Sequence, residues 1–512
     1  MTGFSLPKSV LLALEGFASG VKIALVVPAY SAKGEKGFYD HRFYSTFLLS
    51  RKYISYPLAI PTLTALTPPE HEVRVFDENV EAIDYSWRAD LAGITVRTMF
   101  AERAYNISEA YRSRGARTVL GGVHPSMCTE EAAQHCDSVV VGEAEQVWPT
   151  LLRDVQQRNL KKVYRSDRLA DLTASPTPVR SVLSRRRYLS DVLQTTKGCP
   201  FDCEFCSVRA FDGQTIRNKT VEQIVREIED IKTLSPKYKR KNAIFFADDN
   251  IISNKRFARE LFSALRPYDI NWMCQASIDI SKEDELLELM RDGGCGAIFI
   301  GFESTSDDNL ARMHKAVNRR YDYVDVIKTI QSYGILVHGS FVVGYDFDSQ
   351  STFDELISFI QESKLLVPII NILTPFPGTR LFRRLDDQGR ILHTDWSRYD
   401  TQHVVFRPRQ MGPEELFEGY RRIVRAVYSL DAIFKRLNYY WDMDFWKHRN
   451  EADRVRLKYR LLFALRLCTL LVSCNMRRSV FITRILRRVF DRRVRVSSIL
   501  AQMAYNDYAC SL

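Results

Sequence analysis

The feature that most constrains this chain is a repeated alternation of short, wholly apolar runs with longer amphipathic stretches. Runs at 21–28, 73–76, 91–96, 118–120 and 139–141 read as strands, and 57–66, 100–114 and 129–135 as helices. A strand with no polar alternation must be buried on both faces, which places it in a parallel sheet with helices on each side. Residues 1–160 therefore predict a Rossmann-like, doubly wound α/β domain, interrupted after its first strand by a Tyr-, Phe- and base-rich stretch at 30–56. Ligands of such sheets sit at the carboxyl ends of the strands. Gly121-Gly122 and Gly142-Glu143 fall at two such ends.

A second series begins at Val192. Its expected strands are 193–196, 243–247, 271–276, 297–301, 336–343 and 368–374, and its expected helices are 221–233, 255–265, 282–291, 321–333 and 352–363. Repeated βα units predict a partial or complete βα barrel, with its chemistry at the carboxyl ends of the strands. A polar connector with Pro176, Pro178 and three consecutive arginines, Arg185 to Arg187, separates the two series. Beyond Thr379 the pattern turns helical, at 414–428, 454–471 and 478–490. The expected organisation is thus a doubly wound domain over 1–160, a linker over 161–190, a barrel over 191–378 and a helical domain over 379–512. The only repetition is this βα alternation, and no low-complexity tract interrupts it.

A length of 512 residues exceeds what one ordinary core serves. Of ten cysteines, three fall within eight residues and the rest are scattered, which suits a reducing compartment and a metal site, not a disulfide framework. Residues 9–14 are apolar, but Glu15 ends the run with no cleavage motif, so we expect a cytosolic leader and not a signal peptide. The run 461–474 contains Arg466 and is shorter than the ~20 residues of a membrane span. Net charge is +11, and residues 451–500 hold thirteen Lys or Arg against three acids. Those basic, apolar helices suit either anionic lipid headgroups or a solvated packing face. The expected location is cytoplasmic, or peripheral to a membrane. No aromatic stacking platform or recognition helix supports nucleic-acid binding.

Chemistry concentrates at Cys199, Cys203 and Cys206, directly after the first strand of the second series. Three thiolates on one loop can hold three irons of a [4Fe–4S] cluster and leave the fourth open, whereas such clusters normally take four cysteinates. The alternative is a structural zinc loop, but zinc wants four closed ligands, and no second Cys or Cys/His pair lies nearby.

This Cys-x3-Cys-x2-Cys spacing, with Phe205 before the last cysteine, resembles the radical SAM superfamily. The first domain resembles the cobalamin-binding domain of its B12-binding branch. The strings Leu120-Gly121-Gly122-Val123-His124-Pro125, Val141-Gly142-Glu143-Ala144-Glu145 and Asn371-Ile372-Leu373-Thr374-Pro375-Phe376-Pro377-Gly378-Thr379 are typical of that branch. The resemblance spans residues 20–430, and the helical region after it is similar to the C-terminal extension of many such proteins. It implies that Cys199, Cys203 and Cys206 bind the cluster and that Phe205 lies against the adenine of S-adenosylmethionine (SAM). Asp248, Asp249 and Asn250 fall where the family binds the SAM amino group; Gln275, Ser277, Asp279 and Glu303 are further SAM candidates. Each acidic position has a bland alternative as a helix cap. His338 reads as a packed core histidine. Gly121, Gly122, Gly142 and Glu143 are the cobalamin candidates. One departure stands out: where methyltransferase-type cobalamin domains carry Asp-x-His-x-x-Gly, this chain has Ala29-Tyr30-Ser31-Ala32-Lys33-Gly34, with no histidine for cobalt.

The implied cofactors are a [4Fe–4S] cluster, SAM and cobalamin, with an external flavodoxin- or ferredoxin-type electron donor. The implied reaction is radical modification of an unactivated carbon, above all C-methylation, in which one SAM supplies the methyl group through cobalamin and a second supplies a 5′-deoxyadenosyl radical. Radical cyclisation, rearrangement or oxidation is the alternative within the class, and a non-catalytic cobalamin or iron–sulfur sensor the alternative outside it. The substrate is a small or lipid-like molecule that the sequence does not name.

Overall fold

The computed structural model describes residues 20–30, 53–234, 243–443, 445, 464–465, 468, 476–488 and 496–512. The apolar stretch at 9–14, most of 30–56, and nearly all of the expected helix at 454–471 lie outside the described residues. The chain divides into two compact units: 1–29 with 57–170 and 176–183, and 30–56 with 171–175 and 184–512.

The first unit is built on six parallel strands: β1 (Lys22–Val27), β2 (Glu72–Asp77), β3 (Leu91–Thr95), β4 (Arg117–Gly121), β5 (Ser138–Val141) and β6 (Val163–Arg165), in the order β2-β1-β3-β4-β5-β6. Leu25 on β1 is level with Val75 on one side and Gly93 on the other. Residues Ile23 to Val26 are wholly buried, as a central strand covered on both faces must be. Helices α1 (Ala59–Leu66), α2 (Ala101–Arg112), α3 (Val123–Met127), α4 (Thr129–Gln134) and α5 (Trp148–Gln156) connect the strands. The order reverses between β1 and β3, the switch point at which doubly wound sheets hold ligands. Strand β6 lies inside the stretch expected to be linker. It is a three-residue edge strand with only Tyr164 buried, so it carries no apolar run to betray it.

The second unit also holds a parallel sheet, with β7 (Asp191–Leu193), β10 (Ala243–Phe246), β11 (Asn271–Gln275), β12 (Cys295–Glu303), β13 (Leu336–Val343) and β14 (Val367–Ile372) side by side in chain order. A separate antiparallel pair, β8 (Thr196–Lys197) and β9 (Arg217–Asn218), forms a small hairpin after β7. The crossover helices are α7 (Val221–Thr233), α8 (Lys255–Leu265), α9 (Asp284–Asp292), α11 (Tyr323–Ser332) and α12 (Gln350–Glu362); the short α6 (Val208–Phe211) and α10 (Asp307–Arg312) lie between them. Among the described residues β7 and β14 do not pair, so the sheet is a partial barrel. One face is fully buried, with Ile244, Trp272, Ile298, Phe302, Val337 and Phe341 among its residues. The alternate positions Phe245, Met273, Gln275, Phe299, His338, Ser340 and Asn371 are half-buried.

Both edges of this sheet are finished by other chain segments. Beside β7, Leu189 N donates to Tyr53 O (2.8 Å) and Ser190 N to Ile54 O (3.0 Å). Beside β14, Ile372 N donates to Thr401 O (2.7 Å), Tyr428 Oη to Pro368 O, and Gln502 Nε2 to Leu366 O (3.0 Å). The helices after Thr379 are α13 (Arg380–Asp387), α14 (Pro413–Val427), α15 (Leu430–Asp442), α16 (Met476–Arg488) and α17 (Val496–Ser511). They share one continuous apolar core with the barrel strands, so the expected helical domain belongs to the same compact unit as the barrel. On α16, Arg484 and Arg488 pair with Asp431 and Asp442 of α15, at 3.0 and 3.1 Å. No helix among the described residues is long and apolar enough to cross a membrane.

Candidate cluster and SAM site

The three clustered cysteines occupy the loop of the β8–β9 hairpin. The strand expected at 193–196 stops at Leu193, because Asp248 captures Thr195 and Thr196: its Oδ1 accepts from Thr195 N (2.8 Å), Thr195 Oγ1 (3.0 Å) and Thr196 N. Gly198 then turns the chain at φ +89°, and a Cβ there would lie 2.4 Å from Thr215 O, so the crossing needs glycine. Cys199 N donates to Gly213 O (3.3 Å) and Cys206 N to Cys203 O (3.2 Å).

Burial raises the pKa of all three thiols, that of Cys206 to about 12. Thiolates are unfavourable here unless a metal takes them, and iron ligation removes that penalty. A structural zinc takes four closed ligands, and this loop supplies three. Three desolvated thiols on one loop fit a cluster.

The residues between the cysteines are anchored. Glu204 is buried, accepts from Tyr345 Oη, and meets Arg384 of α13 at 2.7 Å. Its N–H donates to Met313 O (3.1 Å), and its carbonyl accepts from Leu381 N (2.9 Å). Arg384 also meets Asp346 at 2.6 Å, and Arg390 meets the same carboxylate at 2.8 Å. Asp202 pairs with Arg209 and, at 3.0 Å, with Arg380. A loop of three ligands is thereby held by charge pairs from elements far away in sequence, the kind of outer support that orients metal ligands.

The expected SAM residues gather at the carboxyl ends of β10, β11 and β12. Asp248 is turned inward to brace the loop. Asp249 makes no hydrogen bond through its buried Oδ2; burial and the nearby Asp212 and Asp248 carboxylates raise its pKa to about 7, with Lys197 opposing. This is the carboxylate a cationic ligand would relieve. Asn250 and Ser277 are tied to each other, Nδ2 to Oγ at 2.9 Å and backbone N to Oδ1 at 3.0 Å, and Ser277 Oγ donates to Asp279. Gln275 Nε2 reaches Asp248 O (3.2 Å). Phe205 packs half-buried on the core. Glu303 is buried at φ +64°, an unusual conformation for a non-glycine residue. Its carboxylate meets Lys315 Nζ at 3.1 Å. Burial pulls the Lys315 pKa down, but the Glu303 carboxylate beside it outweighs that and holds the ammonium charged. Lys315 was missed by sequence reasoning: it lies on the segment after α10, in no motif. His338 is edge-on to Phe299, 4.6 Å between centroids, and burial lowers its pKa to about 4.

In the first unit, Gly122 has φ +108° and Gly142 has φ +80°; a Cβ on Gly142 would meet nothing within 4 Å, leaving room at the strand end. Glu143 is buried, and its carboxylate accepts from Ala170 N (2.6 Å).

The radical SAM superfamily model matches residues 193–360, and a domain of unknown function matches residues 379–509. The bacteriochlorophyllide d C-12(1)-methyltransferase of Chlorobaculum tepidum is 32% identical over 409 residues, covering 77% of this chain and 89% of that protein. The chain belongs to the radical SAM superfamily. It is a radical SAM enzyme, whose family uses a [4Fe–4S] cluster and SAM. The hopanoid C-2 methylase of Rhodopseudomonas palustris is 28% identical over 400 residues, covering 75% of this radical SAM enzyme and 73% of the relative. The solved structure of the radical SAM methyltransferase TsrM from Kitasatospora setae, with cobalamin and a [4Fe–4S] cluster bound, shares the fold. Its TM-score is 0.60 at 14% identity, covering 92% of this chain and 99% of that one.

Proposed function

We propose that this radical SAM enzyme is a cobalamin-dependent C-methyltransferase acting on an unactivated carbon of a small, lipid-like molecule. The observation that carries the reading is the desolvated three-thiol loop, anchored beside an unpaired carboxylate, in a chain whose relatives include a named methyltransferase and a named methylase. Cys199, Cys203 and Cys206 hold the cluster. Asp249 is the cation-facing carboxylate for the SAM ammonium, and the Glu303–Lys315 pair offers both signs of charge to a zwitterionic methionine end. Asp248, Asn250, Gln275 and Ser277 brace that surface, and Phe205 offers a ring to the adenine. Gly142 leaves room for a corrin or its tail, Gly121 and Gly122 form the tight end of the neighbouring strand, and Glu143 steadies its own loop through Ala170 N. When bound, the cofactors supply the electron that cleaves SAM to a 5′-deoxyadenosyl radical and a carrier for the methyl group, chemistry no side chain can provide. The protein's part is position and exclusion of water. The half-buried face with Phe245, Met273, Phe299, Val342 and Ile369 suits an apolar substrate. Electrons come from a flavodoxin- or ferredoxin-type donor. Exposed Arg484 and Arg487 on α16 suit anionic lipid headgroups, which co-sedimentation with anionic vesicles tests.

The deciding experiment is anaerobic reconstitution with iron and sulfide, followed by SAM, reductant and cobalamin. Formation of 5′-deoxyadenosine and retention of cobalamin through gel filtration are expected. Intact clusters without 5′-deoxyadenosine would overturn the radical chemistry. Cleavage without retained cobalamin would overturn methyl transfer in favour of cyclisation, rearrangement or oxidation.

A further inference from the structure

Helix α15 buries Ile433, Arg436, Leu437, Tyr440 and Trp441, the three-and-four spacing of an apolar stripe with a cation in its middle. Arg436 is 2% exposed, and its Nε, Nη1 and Nη2 atoms all lack a hydrogen-bond partner. The guanidinium lies over the ring of Tyr428, 5.8 Å from its centroid. The groups that reach it electrostatically are the hydroxyls of Tyr428 and Tyr440, and burial keeps both protonated. Burial lowers the arginine's own pKa to about 10, which leaves it a cation at neutral pH. Among the described residues no carboxylate pairs with it. Half-buried arginines of this unit are answered: Arg384 by Glu204 and Asp346, Arg185 by Asp191.

A second orphan lies in the same helical layer. Gln502 of α17, which packs on α15, is 1% exposed and donates through Nε2 to Leu366 O, but its Oε1 accepts from nothing. An uncompensated guanidinium is among the costliest groups to bury, and an unsatisfied group in a folded core signals a missing ion, water or ligand.

We propose that Arg436 anchors an oxyanion-binding site within the C-terminal helical region, which takes a carboxylate or phosphate group. With Tyr428 covering one face of the guanidinium, its N–H edge is left to recognise paired oxygens, and both groups present them. The site gives a ligand to the stretch matched by a domain of unknown function. It stands apart from the methyltransferase reading, since none of its residues belongs to the cluster or SAM positions.

Equilibrium dialysis of the reconstituted full chain against labelled phosphate and, separately, labelled acetate tests it, with chloride holding ionic strength constant. One oxyanion per chain is expected in the wild type. Arg436→Met should raise the apparent Kd at least about tenfold, and Arg436→Lys, which keeps the charge but loses the fork, should fall between. The label that binds distinguishes carboxylate from phosphate. No binding of either label to the wild type, or unchanged binding in Arg436→Met, overturns the proposal. If the methionine variant does not fold, Arg436→Lys decides, and wild-type affinity in it overturns the proposal too.

Discussion

Replacing Arg384 with methionine should cost this enzyme about 3–5 kcal/mol of stability, the range for breaking a buried ion pair from one side. Arg384 stands between Glu204, at 2.7 Å, and Asp346, at 2.6 Å, and their side chains are 8% and 4% exposed. Asp346 keeps Arg390 at 2.8 Å after the change, but Glu204 keeps only the Tyr345 hydroxyl and its backbone contacts. The loss therefore falls on one carboxylate. Two unit charges ~4 Å apart at an effective dielectric constant of ~20 interact by roughly 4 kcal/mol, in line with that range. The contrast is Arg390→Met: Asp346 would still hold Arg384, so only about 1–2 kcal/mol should be lost. Urea unfolding of the reconstituted protein reads both as drops in midpoint at unchanged slope. Adding Glu204→Gln to Arg384→Met should recover part of the loss, because a neutral amide needs no counter-charge, and this would appear as strong non-additivity. Arg384→Met within about 0.5 kcal/mol of wild type would refute the reasoning. So would Arg390→Met costing as much as Arg384→Met.

Other single positions carry outcomes of their own. His338 is held neutral with its pKa moved from 6.5 to about 4. Its contribution is present above pH 6.5 and is lost as pH falls, so wild type should lose about 2 kcal/mol more than His338→Asn between pH 7 and pH 5, read by urea midpoints at each pH. Cys199→Ala, Cys203→Ala and Cys206→Ala should each abolish the cluster absorbance and iron content, whereas Cys274→Ala, on the buried face of β11, should leave both intact. At Gly122, φ is +108° and a new Cβ would meet Val96 O at 2.9 Å, so Gly122→Ala should destabilise the first unit by about 1–3 kcal/mol. Limited proteolysis would then cut within 57–170 before the barrel.

The parallel strands were legible because burial on both faces writes them as unbroken apolar runs, and β10 to β14 begin and end within two residues of expectation. What escaped was decided by partners distant in sequence. The end of β7 is set by Asp248, which no local pattern at residues 193–196 can announce. Strand β6 has a single buried side chain. At the site, the cysteine spacing pointed to the loop, but it could not show that Asp248 spends its Oδ1 on Thr195 and Thr196 while the adjacent Asp249 leaves its buried Oδ2 without a hydrogen bond. The difference is burial and hydrogen bonding, which adjacent identical residues cannot reveal. Glu204 and Arg384 are 180 positions apart, and each alone reads as an ordinary surface charge.

The way β14 ends also bears on how the gene product can be shortened. Its outer margin receives Thr401 O, Tyr428 Oη and Gln502 Nε2 where another barrel would have a further strand. A fragment stopped near residue 378 would leave those main-chain groups bare along an apolar ribbon, a template for pairing with other molecules. Such a fragment should be recovered as aggregates even though every cluster and SAM candidate lies within it. The appended helices thus act as a built-in guard against self-association, and minimal catalytic fragments of this enzyme must carry them.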